Sequence, residues 1–215
     1  GGWNSVKLYF MLGLPTETDE DVMAIAELVN KIVHCWRETA SNKKRRLSIN
    51  LATAFFVPKP FTPFQWEAQI TPEEYLRRVH LLQSCLTARG VDYRYHESDL
   101  SRLEAVLARG DRRLSRVLLR AHELGCKLDG WDEYFRYDLW LQAFSDCGVD
   151  PDFYTTRGFA EDEILPWQTM DVGVSRAFFL RERALAYQSV TTPDCRTKCA
   201  GCGARALSER GVCDE

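Results

Sequence analysis

The chain has 215 residues, of which 45% are hydrophobic and 27% charged, and its formal net charge is −3. This composition is that of a globular protein with enough apolar residues for a substantial core, and the charge gives no general attraction to nucleic acid or anionic membranes. The sequence contains no apolar run near the ~20 residues that a membrane-spanning helix needs, so we expect no membrane partner and a cytoplasmic location.

The first predicted element is a buried strand. Val6 to Leu12 form a run that is apolar except for Lys7 and that Gly13 and Pro15 close, and an acidic helix start follows. This order is typical of a ligand-binding turn in α/β proteins, although a core strand with an ordinary turn gives the same pattern. Because the sequence opens with two glycines and no methionine and enters this strand almost at once, we expect a part of a longer protein.

Two further helix and strand pairs follow in the same order. A helix is predicted from the N-cap Thr18 to Trp36, and a second buried strand covers Leu47 to Val57. A proline-rich loop, residues 58–66, ends that strand. The next helix runs from the N-cap Thr71 to Gly90, and Val91 to Tyr95 form a short third strand. This βαβαβ order predicts a parallel sheet with right-handed crossovers.

Beyond Ser98 the pattern becomes helical. Helices are predicted over residues 98–124, with a pause at Gly110, over 131–144 and over 175–187. We therefore predict an α/β part at residues 1–98, a helical extension at 99–190 and a cysteine-rich tail at 191–215.

The eight cysteines divide into two groups. Four are scattered singly through helical patterns and fit small buried positions: Cys35, Cys85, Cys126 and Cys147. Four are crowded into the tail, where they could share one ion: Cys195, Cys199, Cys202 and Cys213. Four thiolates in a reducing cytoplasm suit zinc or an iron–sulfur cluster, and the alternative is a disulfide pair or free thiols.

Five arginines fall at offsets that place them on one side of a helix: Arg109, Arg112, Arg113, Arg116 and Arg120. Such a face could bind phosphate, and the aromatic residues at positions 131–140 make an RNA substrate conceivable. The alternative is that neighbouring carboxylates neutralise these arginines in salt bridges. The four histidines are isolated and fit surface positions, and no motif assigns a catalytic residue.

Six separated motifs occur in one order along nearly the whole chain: GLPTETDEDV, INLATAFFVPKPFTPFQW, LEAVLARGDRR, DGWDEYFRYDLW, ILPW and TPDCRTKCAGCG. Their succession resembles the C-terminal portion of radical S-adenosylmethionine (radical SAM) proteins, in the uncharacterised family that carries an upstream domain of the cobalamin-binding type. The resemblance implies an α/β fold made of the last β/α units of a partial TIM-like barrel, followed by a helical extension and the cysteine tail.

The resemblance also implies cofactors. The full enzyme would bind S-adenosylmethionine against a [4Fe–4S] cluster and cleave it reductively to a 5′-deoxyadenosyl radical, with cobalamin possible through the upstream domain. The matching positions place eight residues beside the cofactor: Met11, Gly13, Leu14, Pro15, Glu17, Phe56, Val57 and Pro58. Gly13 would let the backbone approach the ligand, and Glu17 would either hydrogen-bond within the loop or only favour the helix start.

The first three tail cysteines have three and then two intervening residues, the spacing of the catalytic cluster motif in radical SAM enzymes. This motif follows the strands instead of preceding them, and Cys213 offers a fourth thiolate that would close the site. We therefore predict an accessory metal site here, with the catalytic cluster motif upstream of this chain.

On this interpretation the chain alone is an inactive fragment, and its partner is the upstream part of the same protein. The substrate, a small molecule or RNA, stays open. The alternative function is a non-catalytic, zinc-stabilised module that binds RNA or a protein partner.

Overall fold

The computed structural model describes residues 2–42 and 45–204 and has a three-stranded parallel sheet and six α-helices. The elements in chain order are β1 (Ser5–Leu12), α1 (Asp19–Thr39), β2 (Ser48–Phe55), α2 (Pro72–Cys85), β3 (Val91–Tyr95), α3 (Ser98–Arg109), α4 (Leu114–Leu124), α5 (Tyr137–Asp146) and α6 (Arg176–Tyr187), with one 3₁₀ turn at Pro151–Phe153. This confirms the α/β class and the parallel strands. Among the residues that the structure describes, no helix combines the length and apolar character needed to cross a membrane.

The chain forms two compact units. The first contains the residues up to Val57 together with Ile70–Leu103, and the second contains Pro58–Gln69 together with the residues from Glu104 onward. The predicted change near residue 98, from an α/β pattern to a helical one, lies close to the boundary between the units at Leu103 and Glu104. The proline-rich loop, however, belongs to the second unit, and so does the described part of the cysteine tail.

The first unit is a sheet of order β1-β2-β3 with helices packed on one face. The register pairs Leu8 with Leu51 and Leu51 with Tyr93. α1 and α2 share one buried cluster with the inward side chains of the strands, including Leu12 and Phe55. Within the described residues β1 pairs only with β2, so β1 is an edge strand.

Local capping explains where the first two helices begin. The Thr18 side chain accepts the Asp21 N–H, and the Asp21 carboxylate accepts the Thr18 N–H, which completes a capping box before α1. Thr71 caps α2, and Pro72 occupies its first turn. α2 ends at Cys85, earlier than the predicted end near Gly90, because the following residues extend to bring the Gly90 carbonyl to the Ile49 N–H at 2.9 Å.

In the second unit the predicted pause at Gly110 is a complete break between α3 and α4. A Cβ at this position would lie 1.9 Å from the Leu114 side chain, so the tight turn requires glycine. The predicted helix over residues 131–144 is wrong at its start. Residues 128–135 form successive turns, with the Tyr134 N–H bonded to the Trp131 carbonyl, and α5 begins only at Tyr137.

The sheet core gives a direct test of this packing. Leu51 is 1% exposed, whereas Leu28 on α1 is 41% exposed. Leu51→Ala is expected to lower the free energy of unfolding by about 2–5 kcal/mol because it removes buried methyl groups and leaves a cavity. The matched variant Leu28→Ala should change it by no more than about 0.5 kcal/mol. Urea unfolding of both variants checks this, and equal losses would contradict the assigned core.

Candidate functional site

The carboxyl ends of β1 and β2 bring two of the predicted cofactor segments together. Leu12 pairs with Phe55 in the sheet register, and the Phe56 N–H donates to the Leu12 carbonyl at 2.9 Å. The loop after β1 and the residues after β2 therefore start side by side, at the edge where parallel α/β sheets bind ligands. Pro58, the last residue of the predicted set, opens the second unit.

A buried ion pair fixes the loop after β1. The Gly13 N–H donates to Glu17 Oε2 at 2.8 Å, and the same oxygen accepts a hydrogen bond from the Arg78 guanidinium. The side chains of Glu17 and Arg78 are 7% and 12% exposed, and Arg78 also bonds Glu74 at 2.9 Å. The hydrogen bond predicted for Glu17 within the loop is thus present. Its carboxylate is engaged by the protein, and its partner Arg78 lies 61 positions away in the sequence.

Gly13 serves packing within the first unit. It has φ +92° and is buried, and a Cβ here would lie 2.9 Å from the Ile70 side chain. Phe56, Val57 and Pro58 are buried as well. Of the eight predicted cofactor residues, the three that offer clear accessible surface are apolar: Met11, Leu14 and Pro15.

The sheet face opposite α1 and α2 is open to solvent. Tyr9 and Met11 project from β1 with 74% and 49% of their surface exposed. Ala52 and Ala54 of β2 pair with Tyr9 and Met11 in the register, so small side chains lie beside large ones on this face. At the carboxyl end of the strands this face holds a cavity of about 350 Å³, which His96 also borders. A second cavity of about 230 Å³ lies toward the other end of the strands, beside Lys7, Asn50 and Arg94.

Ala52, Ala54 and His96 were not predicted as site residues. The alternation in INLATAFF places the two alanines on one face of the strand and Leu51 and Thr53 on the other, and small residues in this pattern are a signal that the sequence offered. His96 is fixed by its backbone. Its N–H donates to the Thr53 carbonyl at 3.0 Å, and its carbonyl accepts the Tyr75 hydroxyl at 3.0 Å.

Arginines concentrate charge beside the loop. Arg77 bonds both Asp19, at 2.7 Å, and Glu74, at 2.7 Å, and so ties the start of α1 to α2. Hydrogen bonding from Arg77, with a further contribution from Arg78 and against the opposing effect of burial, lowers the pKa of Glu74 to about 2. The same contacts raise the pKa of Arg77. This network links the start of α1 to the first turns of α2.

The described part of the cysteine tail supplies donors to sulfur. The Gly201 N–H donates to Cys199 Sγ and the Ala204 N–H to Cys202 Sγ, both at 3.4 Å. Gly201 and Gly203 have φ of +64° and +99°, which allows the chain to turn around each sulfur. Both sulfurs are thus hydrogen-bonded by backbone amides of the tail itself.

The tail is anchored to the residues around α6. The Ser175 N–H donates to the Cys202 carbonyl at 2.8 Å, and Arg181 donates to the Ala200 carbonyl. Cys213 lies outside the described residues. Within residues 2–42 and 45–204, no three cysteine, histidine or carboxylate side chains are grouped as metal ligands.

The break at Gly110 separates Arg109 from the other four arginines of the predicted face. Arg109 ends α3 and is buried against Phe159, with its guanidinium 4.6 Å from the ring centre. Burial, and next the positive charge of Arg157, lower the pKa of Arg109 to about 10, while Glu67 opposes this change. Arg113 is paired with Asp111, and Arg120 with Glu123 and Asp146, whereas Arg112 and Arg116 are exposed.

Comparison with known proteins identifies one distant relative and no family. An uncharacterised protein of Methanocaldococcus jannaschii is 28% identical to this chain over 148 residues, which are 69% of this chain and 31% of that protein. The chain thus spans about a third of the length of the curated relative that it matches. No family model matches the chain. No solved structure matches it either.

The depressed pKa of Glu74 predicts an acid-sensitive step. The folded protein binds fewer protons at this carboxyl than the unfolded chain, whose ordinary value is 4.5, so its contribution is present above about pH 5 and is lost as the pH falls toward about 2. Glu74→Gln is expected to be less stable than the parent at pH 7 and to lose less stability over this window. Urea midpoints between pH 7 and pH 2 measure both effects.

Glu27→Gln is the matched control, because Glu27 is an exposed carboxylate on α1. It should reproduce the pH profile of the parent. A parental slope in Glu74→Gln would show that the arginine network does not set acid stability.

Proposed function

We propose that this chain supplies the last β/α units of a radical SAM barrel. The observation that carries the proposal is the one-sided covering of the parallel sheet. Parallel sheets are ordinarily covered on both faces, whereas in a β/α barrel the helices cover the outside and the other face of each strand points to the barrel centre. The exposed face with Tyr9, Met11, Ala52 and Ala54 fits that inner position.

In this proposal, some residues at the carboxyl end of the sheet contact the cofactor, and others position the loop that does so. Met11, Leu14 and Pro15 offer apolar surface suited to the adenosine part of S-adenosylmethionine, and the cavity that Ala54 lines leaves room beside Met11. Glu17 and Arg78 act as positioning residues, because together they hold the loop that carries Leu14. This keeps the loop conformation ready for binding.

S-adenosylmethionine and a reduced [4Fe–4S] cluster, when bound together, supply a 5′-deoxyadenosyl radical that takes a hydrogen atom from the substrate. In this proposal the cluster ligands and the remaining barrel strands come from the upstream part of the same protein, which could also carry cobalamin. This chain contributes one wall of the cavity, and its own residues orient the cofactor and exclude water.

The tail forms an accessory metal site in this proposal, with Cys195, Cys199, Cys202 and Cys213 holding zinc or an iron–sulfur cluster. The hydrogen bonds from the Gly201 and Ala204 N–H groups to Cys199 Sγ and Cys202 Sγ support sulfur ligands at two of these positions. A phosphate-binding or RNA-binding module has less support, because Arg109 is buried and Arg113 and Arg120 are engaged by carboxylates.

The radical function is tested in the complete natural protein that contains this chain, purified without oxygen and reduced chemically. We expect cleavage of S-adenosylmethionine to 5′-deoxyadenosine, measured by liquid chromatography. Gly13→Val forces the loop away from Ile70 and should slow cleavage about 100-fold, the scale of loss for reactants displaced by about an ångström. Gly130→Val is the matched control, since a Cβ there meets nothing within 4 Å.

The expected ranking is parent and Gly130→Val alike, with Gly13→Val far slower. Absence of both cofactor binding and 5′-deoxyadenosine from the reduced parent protein would refute the radical function. Equal rates in all three proteins would remove the loop after β1 from the cofactor site.

The tail site is tested by metal analysis of the same anaerobic protein. We expect stoichiometric zinc, or iron with sulfide, that is lost in Cys199→Ser/Cys202→Ser and retained in the control Cys35→Ser/Cys147→Ser. The measured quantity is the difference in iron and zinc content between the two double variants. A cluster elsewhere in the protein contributes equally to both and cancels. Equal metal in both variants would exclude the tail as a ligand set.

A further inference from the structure

The second unit contains a cavity of about 360 Å³ that the proposed radical function does not use. Four aromatic side chains form part of its walls: Phe61, Trp66, Trp167 and Phe179. These four side chains belong to one hydrophobic cluster together with Phe159 and Leu165. The cavity is therefore an opening in a packed aromatic core.

Hydrogen bonds hold the aromatic walls in place. The Trp167 indole N–H donates to Gln65 Oε1 at 2.7 Å, and the Phe61 N–H donates to the same oxygen at 3.3 Å. Phe159 packs edge-on against Trp167, with the ring centres 5.9 Å apart, and its N–H donates to the Trp66 carbonyl at 2.8 Å. Because these contacts fix the rings independently of any ligand, the cavity is preformed, as small-molecule sites usually are.

Charges of both signs border this cavity. Arg176 is exposed, and its guanidinium lies 6.0 Å from the centre of the Trp66 ring, with no carboxylate paired to it among the described residues. Arg176 is also the first residue of α6, where the helix dipole favours an anion. Asp171 uses one carboxylate oxygen to accept the Gly173 N–H at 2.8 Å. Its second oxygen has no partner in the described part of the chain.

We propose that this cavity binds a small zwitterion with a flat aromatic ring, the chemistry of an aromatic amino acid. The ring lies against Trp66 and Trp167, the carboxylate pairs with Arg176, and the ammonium pairs with Asp171. The volume supports this size, since it is near the lower end of the roughly 300–1,000 Å³ range of ligand pockets. All of these residues belong to the second unit, so the inference does not depend on the proposed radical function.

The test uses three compounds that share one ring: L-phenylalanine, phenethylamine without the carboxylate, and 3-phenylpropionate without the ammonium. Isothermal titration of the complete protein is expected to show L-phenylalanine binding about 10-fold more tightly than either analogue, because each charged hydrogen bond adds affinity. A change in tryptophan fluorescence on addition of L-phenylalanine should follow the same titration, since two tryptophans line the cavity.

Two variants assign the charges. Arg176→Gln should remove the advantage of L-phenylalanine over phenethylamine, and Asp171→Asn should remove its advantage over 3-phenylpropionate while still accepting the Gly173 N–H. Arg112→Gln is the control, since Arg112 is exposed and has no ion pair among the described residues. It should bind all three compounds as the parent does. Unchanged melting temperatures will show that each variant is folded.

Three results would overturn the inference. Equal affinity for the three compounds would show that the rim charges do not select the ligand, and the absence of saturable binding would exclude an aromatic amino acid. S-adenosylmethionine also carries an aromatic base and an amino-acid group, so it is tested as a competitor. Displacement of L-phenylalanine by S-adenosylmethionine, abolished in Arg176→Gln, would assign this cavity to the cofactor and not to a separate ligand.

Discussion

The parallel pairing of β1 with β2 is the constraint on which the first unit depends. Parallel neighbours cannot be joined by a tight turn, so the chain must return through a crossover, and α1 provides it. The same pairing aligns Leu12 with Phe55 and so sets the loop after β1 beside the end of β2. The positions of α1, of the loop and of the cavity at the carboxyl end all follow from this register.

A buried ion pair then gives that loop one conformation. Removing the charges of Glu17 and Arg78 from water costs free energy, and their attraction alone does not guarantee a net gain. Here the Gly13 N–H and Glu74 provide further hydrogen bonds, so each charged group has several partners. The pair thus ties the loop at Gly13 to α2 through hydrogen bonds that satisfy both charged groups.

Local patterns in the sequence predicted the elements that local physics determines. Largely apolar runs marked β1 and β2. The caps Thr18 and Thr71 marked the starts of their helices because each threonine side chain accepts the N–H of the residue three positions later, in the first turn. The start of α5 was missed because the aromatic residues before Tyr137 fit a helical period but form turns.

Contacts between distant residues could not be predicted in this way. Arg78 lies 61 positions from Glu17, and Gln65 lies 102 positions from Trp167, so no spacing rule connects them. The assignment of residues 58–69 to the second unit is of the same kind. Likewise, the five arginines share a helical period, but Gly110 ends that helix and sends Arg109 into a core.

The hydrogen bond between Ser175 and Cys202 has a consequence for regulation. Ser175 borders the aromatic cavity, and its N–H is bonded to the carbonyl of a tail cysteine at 2.8 Å. If an ion bound by the tail changes the affinity of the cavity for its ligand, the ligand must change the affinity for the ion by the same factor. The ion and the ligand would then be allosteric effectors of each other without being in contact.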